Sequence, residues 1–211
     1  MKRYTVDTIR AFVPDERRAY ERALVFPAVF TERQCNSILE RAGGLDTDDA
    51  RTGDGLAETA PDDTIRRSRT AWISADESSN WIYDKLATVA GRANRTYDFD
   101  LIGFTEPLQY TVYDRAGAFY TWHQDGLDGE LAIRKLSLVV QLSDPEGYEG
   151  SDLEFFGDDD AAEDDAADWR TKLRRRGSVI AFPAFEYHRV TPLASGERHS
   201  LVCWVGGPRF R

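Results

Sequence analysis

The sequence contains few cysteines and no long apolar run, and both absences narrow the class of protein. Its 211 residues include two cysteines, Cys35 and Cys203, which lie far apart and form neither a metal-type pair nor a disulfide framework. Such sparse use of cysteine fits a reducing compartment. No run reaches the roughly 18 apolar residues that a membrane span needs, so we expect no transmembrane helix.

The start of the chain also lacks a secretory signature. Residues 1–7 carry charges, and no apolar stretch follows them. Together with the cysteine content, this pattern predicts a cytoplasmic protein.

Positive charge is scarce as well. The chain has 27 Lys and Arg against 37 Asp and Glu, a net charge of −10, which argues against a general nucleic-acid binder. Two segments hold this acidity: residues 45–64, which we interpret as a loop, and residues 157–168, which we interpret as a solvated excursion between strands. Because each segment contains seven acids, the rest of the chain is net positive.

The apolar content is 41%, enough for a sizeable core, and the length suits one domain spanning residues 1–211. Thr31 and Gln34 have the spacing of a capping box, which predicts a helix that ends at Gly43 and Gly44. A second apolar stripe predicts a helix over residues 78–93, and residues 65–73 are typical of a strand with a basic entry.

From about residue 104 the sequence changes to short apolar or alternating runs separated by Gly, Pro and Asp. This rhythm predicts a sandwich or barrel with helices on one outer face, a mainly β, α+β fold. We expect helical support over about 24–100 and a β core over about 104–208. The predicted strands are Leu108–Tyr113, Phe119–His123, Lys135–Ser143, Asp152–Phe156, Ser178–Phe182, Tyr187–Leu193 and His199–Val205.

Only three histidines are present, so each can be weighed. Side chains alternate along a strand, so His123 and Asp125 share one face while Gln124 points away. Such a pair can occupy two neighbouring positions on a metal ion. Taken alone, the pair is better explained as solvated side chains or as a core histidine bonded to a carboxylate than as a metal site.

A third ligand, His188, would complete a set of two histidines and one carboxylate, which leaves three positions on a ferrous ion open. Arg198 follows ten residues later, after a tight turn, and would return along the neighbouring strand into the same barrel. A buried guanidinium is suited to grip a carboxylate at two points. An exposed turn cation beside Glu197 is the alternative, and His199 receives no role.

Four stretches followed by Arg198 form a recognisable series: Tyr113–Asp125, Arg134–Ser143, Tyr148–Phe155 and Arg176–Pro183. In this order they resemble the catalytic core of the iron(II)- and 2-oxoglutarate-dependent dioxygenases, in the prolyl-4-hydroxylase-like branch. The resemblance covers about half of the chain, residues 108–208. One departure is Ser151, where the usual Gly-Gly-x-Leu turn has its second glycine.

The resemblance implies a double-stranded β-helix, the cupin-like jelly roll, with the N-terminal helices packed outside it. It implies that His123, Asp125 and His188 bind Fe(II), with no catalytic residue beyond these metal ligands. For 2-oxoglutarate it implies Arg198 at the distal carboxylate. The further residues that it places around the co-substrate are Tyr113, Gln141 and Ser200.

The implied reaction consumes O2 and 2-oxoglutarate, releases succinate and CO2, and hydroxylates an unactivated C–H bond; ascorbate is an optional further cofactor. The substrate is a free amino acid, a peptidyl residue (proline by analogy) or a small natural product. Substrate selection is expected in the variable loops. The candidates are the acidic loop 45–64, the connection 126–134, and Arg66, Arg67 and Arg69.

Three alternatives stay open. A cupin-like sensing module would bind iron and 2-oxoglutarate without turnover. A halogenase would lack the carboxylate ligand, so Asp125 argues against it, and a nucleic-acid demethylase is disfavoured by the net charge.

Overall fold

The computed structural model describes residues 21–50, 62–127, 129–157 and 163–209. The helices are α1 (Glu32–Gly43), α2 (Asn80–Tyr97) and α3 (Glu163–Arg174). The strands are β1 (Leu24–Phe26), β2 (Asp48–Asp49), β3 (Arg69–Ile73), β4 (Gly103–Phe104), β5 (Leu108–Tyr113), β6 (Tyr120–His123), β7 (Arg134–Gln141), β8 (Tyr148–Gly150), β9 (Leu153–Phe155), β10 (Val179–Pro183), β11 (His188–Val190), β12 (Leu193–Gly196) and β13 (Arg198–Gly206).

The first helix begins where the capping box predicts. The Thr31 hydroxyl accepts a hydrogen bond from the Gln34 amide, and the Gln34 side chain accepts one from the Thr31 amide. The second helix is longer than predicted and ends at Asp98, which adopts a left-handed conformation with φ of 55°. Within the described ranges, no helix combines the length and apolarity needed to cross a bilayer.

The large sheet has the order β1-β10-β7-β13-β5-β3-β2, and β4 also pairs with β13. Along its central strands, alternate side chains lie on opposite faces. One face is apolar and packs under α1 and α2, and includes Leu108, Tyr110, Leu138, Leu201 and Cys203. The opposite face therefore lines the interior between the sheets, and this is where the polar side chains of the same strands lie.

A three-stranded sheet of order β6-β11-β9 faces the interior side of the large sheet. Phe155 on β9 meets Phe182 on β10 edge to face, with ring centroids 5.0 Å apart. Val139 and Ile180 belong to the same apolar cluster, which closes one end of the space between the sheets. The strands β12 and β8 form a separate two-stranded sheet. The predicted mainly β fold with outer helices is thus confirmed.

The structure also differs from the sequence prediction in the segment before β3 and in the two acidic segments. The strand predicted over 65–73 begins at Arg69, and the preceding residues run beside β6 instead. In the acidic segment 45–64, Asp48 and Asp49 pair with β3, while residues 51–61 lie outside the described residues. The second acidic segment, predicted as an irregular excursion, leads into α3, whose weak apolar stripe gives little periodic signal.

Gly177 has a conformation and a close contact that no other residue can match without strain. Its φ is +76°, and an added Cβ would lie 2.0 Å from the carbonyl oxygen of Phe30. The Phe30 amide also donates to the Gly177 carbonyl at 2.9 Å, so the two segments cannot separate freely. Gly177 therefore fixes the approach of α1 to the sheet.

We predict that Gly177→Ala lowers the free energy of unfolding by at least about 1–3 kcal/mol, because a left-handed non-glycine residue is strained and the added methyl collides with backbone. Gly91, inside α2 with nothing within 4 Å of an added Cβ, is the matched control. Gly91→Ala should raise stability by about 0.5–1 kcal/mol. Urea unfolding followed by circular dichroism measures both, and equal small effects would contradict the prediction.

Candidate metal and 2-oxoglutarate site

The pairing of β6 with β11 brings two histidines face to face. His188 is the direct antiparallel partner of His123, and the register shifts between His188 and Val190. Asp125 follows β6 by two residues, and its amide donates to the carbonyl of Ala184 at 2.9 Å. Two neighbouring strands and one loop therefore bring three potential ligands close together.

The three side chains present their polar atoms to each other. The Nε2 of His123 lies 3.8 Å from Oδ1 of Asp125, and the Nε2 of His188 lies 3.7 Å from Oδ2. One ligand atom from each residue falls within 4.8 Å of the others, and Asp125 and His188 are buried. This is a compact group that could hold one cation.

Backbone carbonyls fix the protonation of both rings. The Nδ1 of His123 lies 2.8 Å from the carbonyl oxygen of Thr121, and the Nδ1 of His188 lies 2.8 Å from that of Glu186. Because a carbonyl can only accept, each Nδ1 must carry the proton. In the neutral form of each ring, Nε2 then has a free lone pair directed toward Asp125, which is the tautomer that a metal ligand requires.

Asp125 is held from two sides. Its Oδ2 accepts a hydrogen bond of 2.7 Å from the Ser137 hydroxyl on β7. Its carbonyl accepts one of 3.0 Å from Arg134, whose guanidinium is neutralised by the half-buried Glu106 through contacts of 2.5 and 2.7 Å. The same guanidinium lies 3.7 Å from the ring centroid of Trp204. The carboxylate cannot turn away without breaking this network.

The buried charges set the protonation of the cluster. Burial lowers the pKa of His123 below its usual value, and the neighbouring His188 lowers it further, so the ring is neutral at pH 7. Burial alone would raise the pKa of Asp125, but the neighbouring histidines, Arg134 and the Ser137 hydroxyl outweigh it. At pH 7 the cluster thus contains an ionised Asp125 beside a neutral His123 ring.

A second polar group lines the same interior on β5, β13 and β7. Arg198 is directly opposite Tyr113, and Ser200 is directly opposite Gln141. The guanidinium of Arg198 is 2% exposed and donates to Gln141 Oε1 at 3.1 Å; its Cζ lies 5.5 Å from the Tyr113 ring centroid. Its Nε is buried and has no hydrogen-bond partner among the described residues. The sequence-predicted residues for 2-oxoglutarate therefore lie together on adjacent strands.

Three side chains that shape the site were not singled out from the sequence: Ser137, Arg134 and Glu106. Ser137 shares the interior face of β7 with Gln141, so the alternation could have placed it there. The ion pair of Arg134 with Glu106 joins residues far apart in the chain and leaves no local pattern. His199, to which the sequence assigns no role, lies on the other face of β13, where its Nδ1 is 2.7 Å from the Tyr110 hydroxyl.

The fold and the cluster together define a jelly-roll protein with two histidines and one carboxylate open toward its interior. Comparison with known proteins agrees with this class. The sequence model of the 2OG-Fe(II) oxygenase superfamily matches residues 108–206. A PKHD-type hydroxylase of Synechococcus sp. (strain CC9605) is 33% identical over 90 residues, which are 43% of this chain and 37% of that relative. The chain thus covers well under two thirds of this curated relative.

Solved structures share the fold over most of the chain. A prolyl-4-hydroxylase of Pseudomonas putida aligns with a TM-score of 0.64 at 19% identity, covering 90% of this chain and 95% of that one. A prolyl hydroxylase of Trichoplax adhaerens, in complex with a peptide fragment of hypoxia inducible factor, aligns with a TM-score of 0.66 at 14% identity, covering 88% and 83%. Residues 108–206 are thus similar to the 2OG-Fe(II) oxygenase superfamily and to PKHD-type hydroxylases, and the chain shares the fold of the solved prolyl hydroxylases.

The lowered pKa of His123 makes the stability of the metal-free protein depend on pH. The unfolded chain takes up a proton near the ordinary pKa of 6.5, whereas the folded ring does not. We therefore predict that the free energy of unfolding falls as the pH drops below 6.5, by at most about 1.4 kcal/mol per pH unit. His123→Gln should show a shallower fall.

Urea unfolding between pH 7.5 and pH 5 (about the range over which carboxylates stay ionised), with metal removed by a chelator, measures this slope. His199 also has a pKa lowered by burial, but it is present in both proteins and its contribution cancels. Identical slopes for wild type and His123→Gln would contradict the prediction.

Proposed function

We propose that this protein is an Fe(II)- and 2-oxoglutarate-dependent dioxygenase that hydroxylates an unactivated C–H bond of an amino acid, a peptidyl residue or a small natural product. One observation carries the proposal. The Nε2 atoms of two imidazole rings converge on Asp125, and a buried guanidinium with an unpaired N–H lies on the facing sheet. The cluster suits a metal, and the guanidinium suits an anion.

His123, Asp125 and His188 would hold the iron. Their chemistry fits Fe(II), because neutral imidazoles and one carboxylate are the ligand types of this ion and three ligands leave positions for other molecules. When bound, iron and 2-oxoglutarate supply the oxidising chemistry: O2 is consumed, succinate and CO2 are released, and one oxygen atom enters the substrate. The side chains supply binding, orientation and exclusion of water.

Arg198 would bind the distal carboxylate of 2-oxoglutarate. Its buried Nε lacks a partner among the described residues, and leaving a buried charged donor unpaired is unfavourable. Gln141 already accepts from one Nη atom and so orients the guanidinium plane. Tyr113 and Ser200 flank it and offer hydroxyl groups to the same anion. A carboxylate acceptor would complete the hydrogen bonding of this group.

The substrate belongs to the proposal too. The Trichoplax neighbour holds a peptide, which supports a groove able to admit a peptide or a small molecule. Proline is the default by analogy with the prolyl hydroxylases, and analogy at the level of the fold does not assign a substrate. A halogenase is disfavoured because Asp125 occupies the carboxylate position of the cluster.

We predict that anaerobic addition of 2-oxoglutarate to the Fe(II)-loaded protein gives a visible metal-to-ligand absorption band. His123→Ala should lose the band and the bound iron. Arg198→Ala should keep the iron but weaken 2-oxoglutarate binding by about 30-fold or more, because removing one partner of a buried charged pair costs about 2–5 kcal/mol.

Titration of the band measures both effects, and succinate release in air tests turnover. A wild type without the band, together with unchanged iron content in His123→Ala, would overturn the assignment. Equal loss of iron and co-substrate in Arg198→Ala would indicate a folding role. Binding of both ligands with no succinate from any substrate would favour the non-catalytic sensing module.

Ser137 provides a more local test of the metal site. Ser137→Ala removes the donor to Asp125 Oδ2, and loss of such an outer contact lowers metal affinity by about 10–100-fold. The control is Ser178→Ala, since the Ser178 hydroxyl is equally buried and has no hydrogen-bond partner among the described residues. Competition with a metallochromic indicator gives the dissociation constants. Equal affinities in the two variants would show that Ser137 does not support the site.

A further inference from the structure

A short segment before β3 crosses from the small sheet to the large one. The Arg67 amide donates to the Phe119 carbonyl at 2.8 Å, and the Phe119 amide donates back at 3.1 Å. One step along, the Thr121 amide donates to the Ile65 carbonyl at 2.9 Å. The segment thus forms an extra edge beside β6, the strand that carries His123. From Arg69 onward the chain joins the large sheet instead.

Arg66, at the centre of this segment, directs its side chain inward. It is 7% exposed, and its Nε donates to the Ser68 hydroxyl at 2.8 Å. Its Nη2 donates to Gln109 Oε1 at 3.1 Å and reaches Thr111 Oγ1 at 3.5 Å. Gln109 and Thr111 lie on the interior face of β5, so the guanidinium spans the space between the two sheets. Every one of these acceptors is neutral.

The charge of Arg66 is therefore uncompensated by the described part of the chain. The hydrogen bonds of its side chain to described residues come from Nε and Nη2 and go to neutral oxygens, and none of the ion pairs between described residues includes it. The same barrel shows the contrasting case in Arg134, which is equally buried and is paired with Glu106. Burying a guanidinium without a counter-charge is unfavourable unless a ligand supplies one.

The position of Arg66 relates it to the metal cluster. Its Cζ lies 4.6 Å from the centroid of the Tyr120 ring, and that ring stacks on His123 with centroids 3.5 Å apart and planes 16° apart. The guanidinium is thus one aromatic ring removed from a predicted iron ligand. Arg198 packs on a different ring, that of Tyr113. The interior therefore holds two separate cationic groups.

We propose that Arg66 binds a carboxylate of the primary substrate, while Arg198 binds 2-oxoglutarate. The inference rests on the proposed function and narrows its substrate class to carboxylic acids small enough to reach from Arg66 to the cluster. A free amino acid, or a peptide that ends at or near the hydroxylated residue, has this chemistry. The paired N–H groups of arginine suit a carboxylate in particular.

The experiment uses matched carboxylates and amides with the full-length Fe(II) protein saturated with 2-oxoglutarate. The probes are free amino acids, dipeptides with a free C-terminus, amidated dipeptides with an acidic side chain, and the primary amide of each. Anaerobic perturbation of the absorption band reports binding, and succinate release in air reports turnover. We expect wild type to prefer at least one carboxylate over its amide by about tenfold or more.

Arg66→Gln should reduce this preference to about twofold and leave the affinity for 2-oxoglutarate unchanged. Arg66→Lys should keep part of the preference, since lysine retains the charge without the paired N–H groups. The control is Arg95→Gln, an exposed arginine on the outer helix α2, which should retain the full preference. Circular dichroism checks that each variant is folded. The three probe classes show whether the carboxylate comes from a free amino acid, a chain terminus or a side chain.

An unchanged preference in Arg66→Gln would overturn the inference, as would a panel in which no carboxylate binds wild type. Loss of 2-oxoglutarate binding in Arg66→Gln would also overturn it, by assigning Arg66 to the co-substrate. These results differ from failure of the proposed function, in which wild type would show no 2-oxoglutarate band at all and both proposals would fall.

Discussion

The antiparallel pairing of β6 with β11 is the interaction on which the site depends, because it sets His123 opposite His188. The same type of hydrogen bond then orients both rings. Each Nδ1 donates to the carbonyl two residues earlier in the chain, which belongs to Thr121 for His123 and to Glu186 for His188. The tautomer is thus fixed by backbone that belongs to the same stretch as the ring. Asp125 needs help from farther away, from Ser137 and Arg134.

The large sheet makes this interior possible by keeping its two faces chemically different. Alternate residues of β5, β7 and β13 are apolar and pack under the helices, while their neighbours, among them Thr111, Ser137, Gln141 and Arg198, face inward. Buried polar groups of this kind contribute little net stability, so the outer layer must supply it. The contact of Gly177 with Phe30 ties α1 to that layer.

Strand alternation explains how much could be predicted from the sequence. It placed Arg198 with Ser200, because this relation is two residues long and follows from the strand period. His123 and Asp125 also lie together as predicted, but β6 ends at His123 and Asp125 lies in the loop that follows, so strand alternation is not the reason. It could not reveal the bond from Ser137 to Asp125 or the pairing of Arg134 with Glu106, which depend on how distant strands meet. The helix α3 was missed for another reason, since its surface composition carries a weak periodic signal.

The distribution of charge joins these observations. The net charge of −10 comes from two acidic segments, whereas the interior contains buried guanidinium groups. Arg134 is neutralised by Glu106, but no described carboxylate pairs with Arg66 or Arg198. Since a metal bound by one carboxylate would also carry excess positive charge, the interior favours anionic ligands. In the proposed function, a co-substrate dianion at Arg198 would satisfy one of the two unpaired groups, and a carboxylate on the substrate would supply the anion that Arg66 requires.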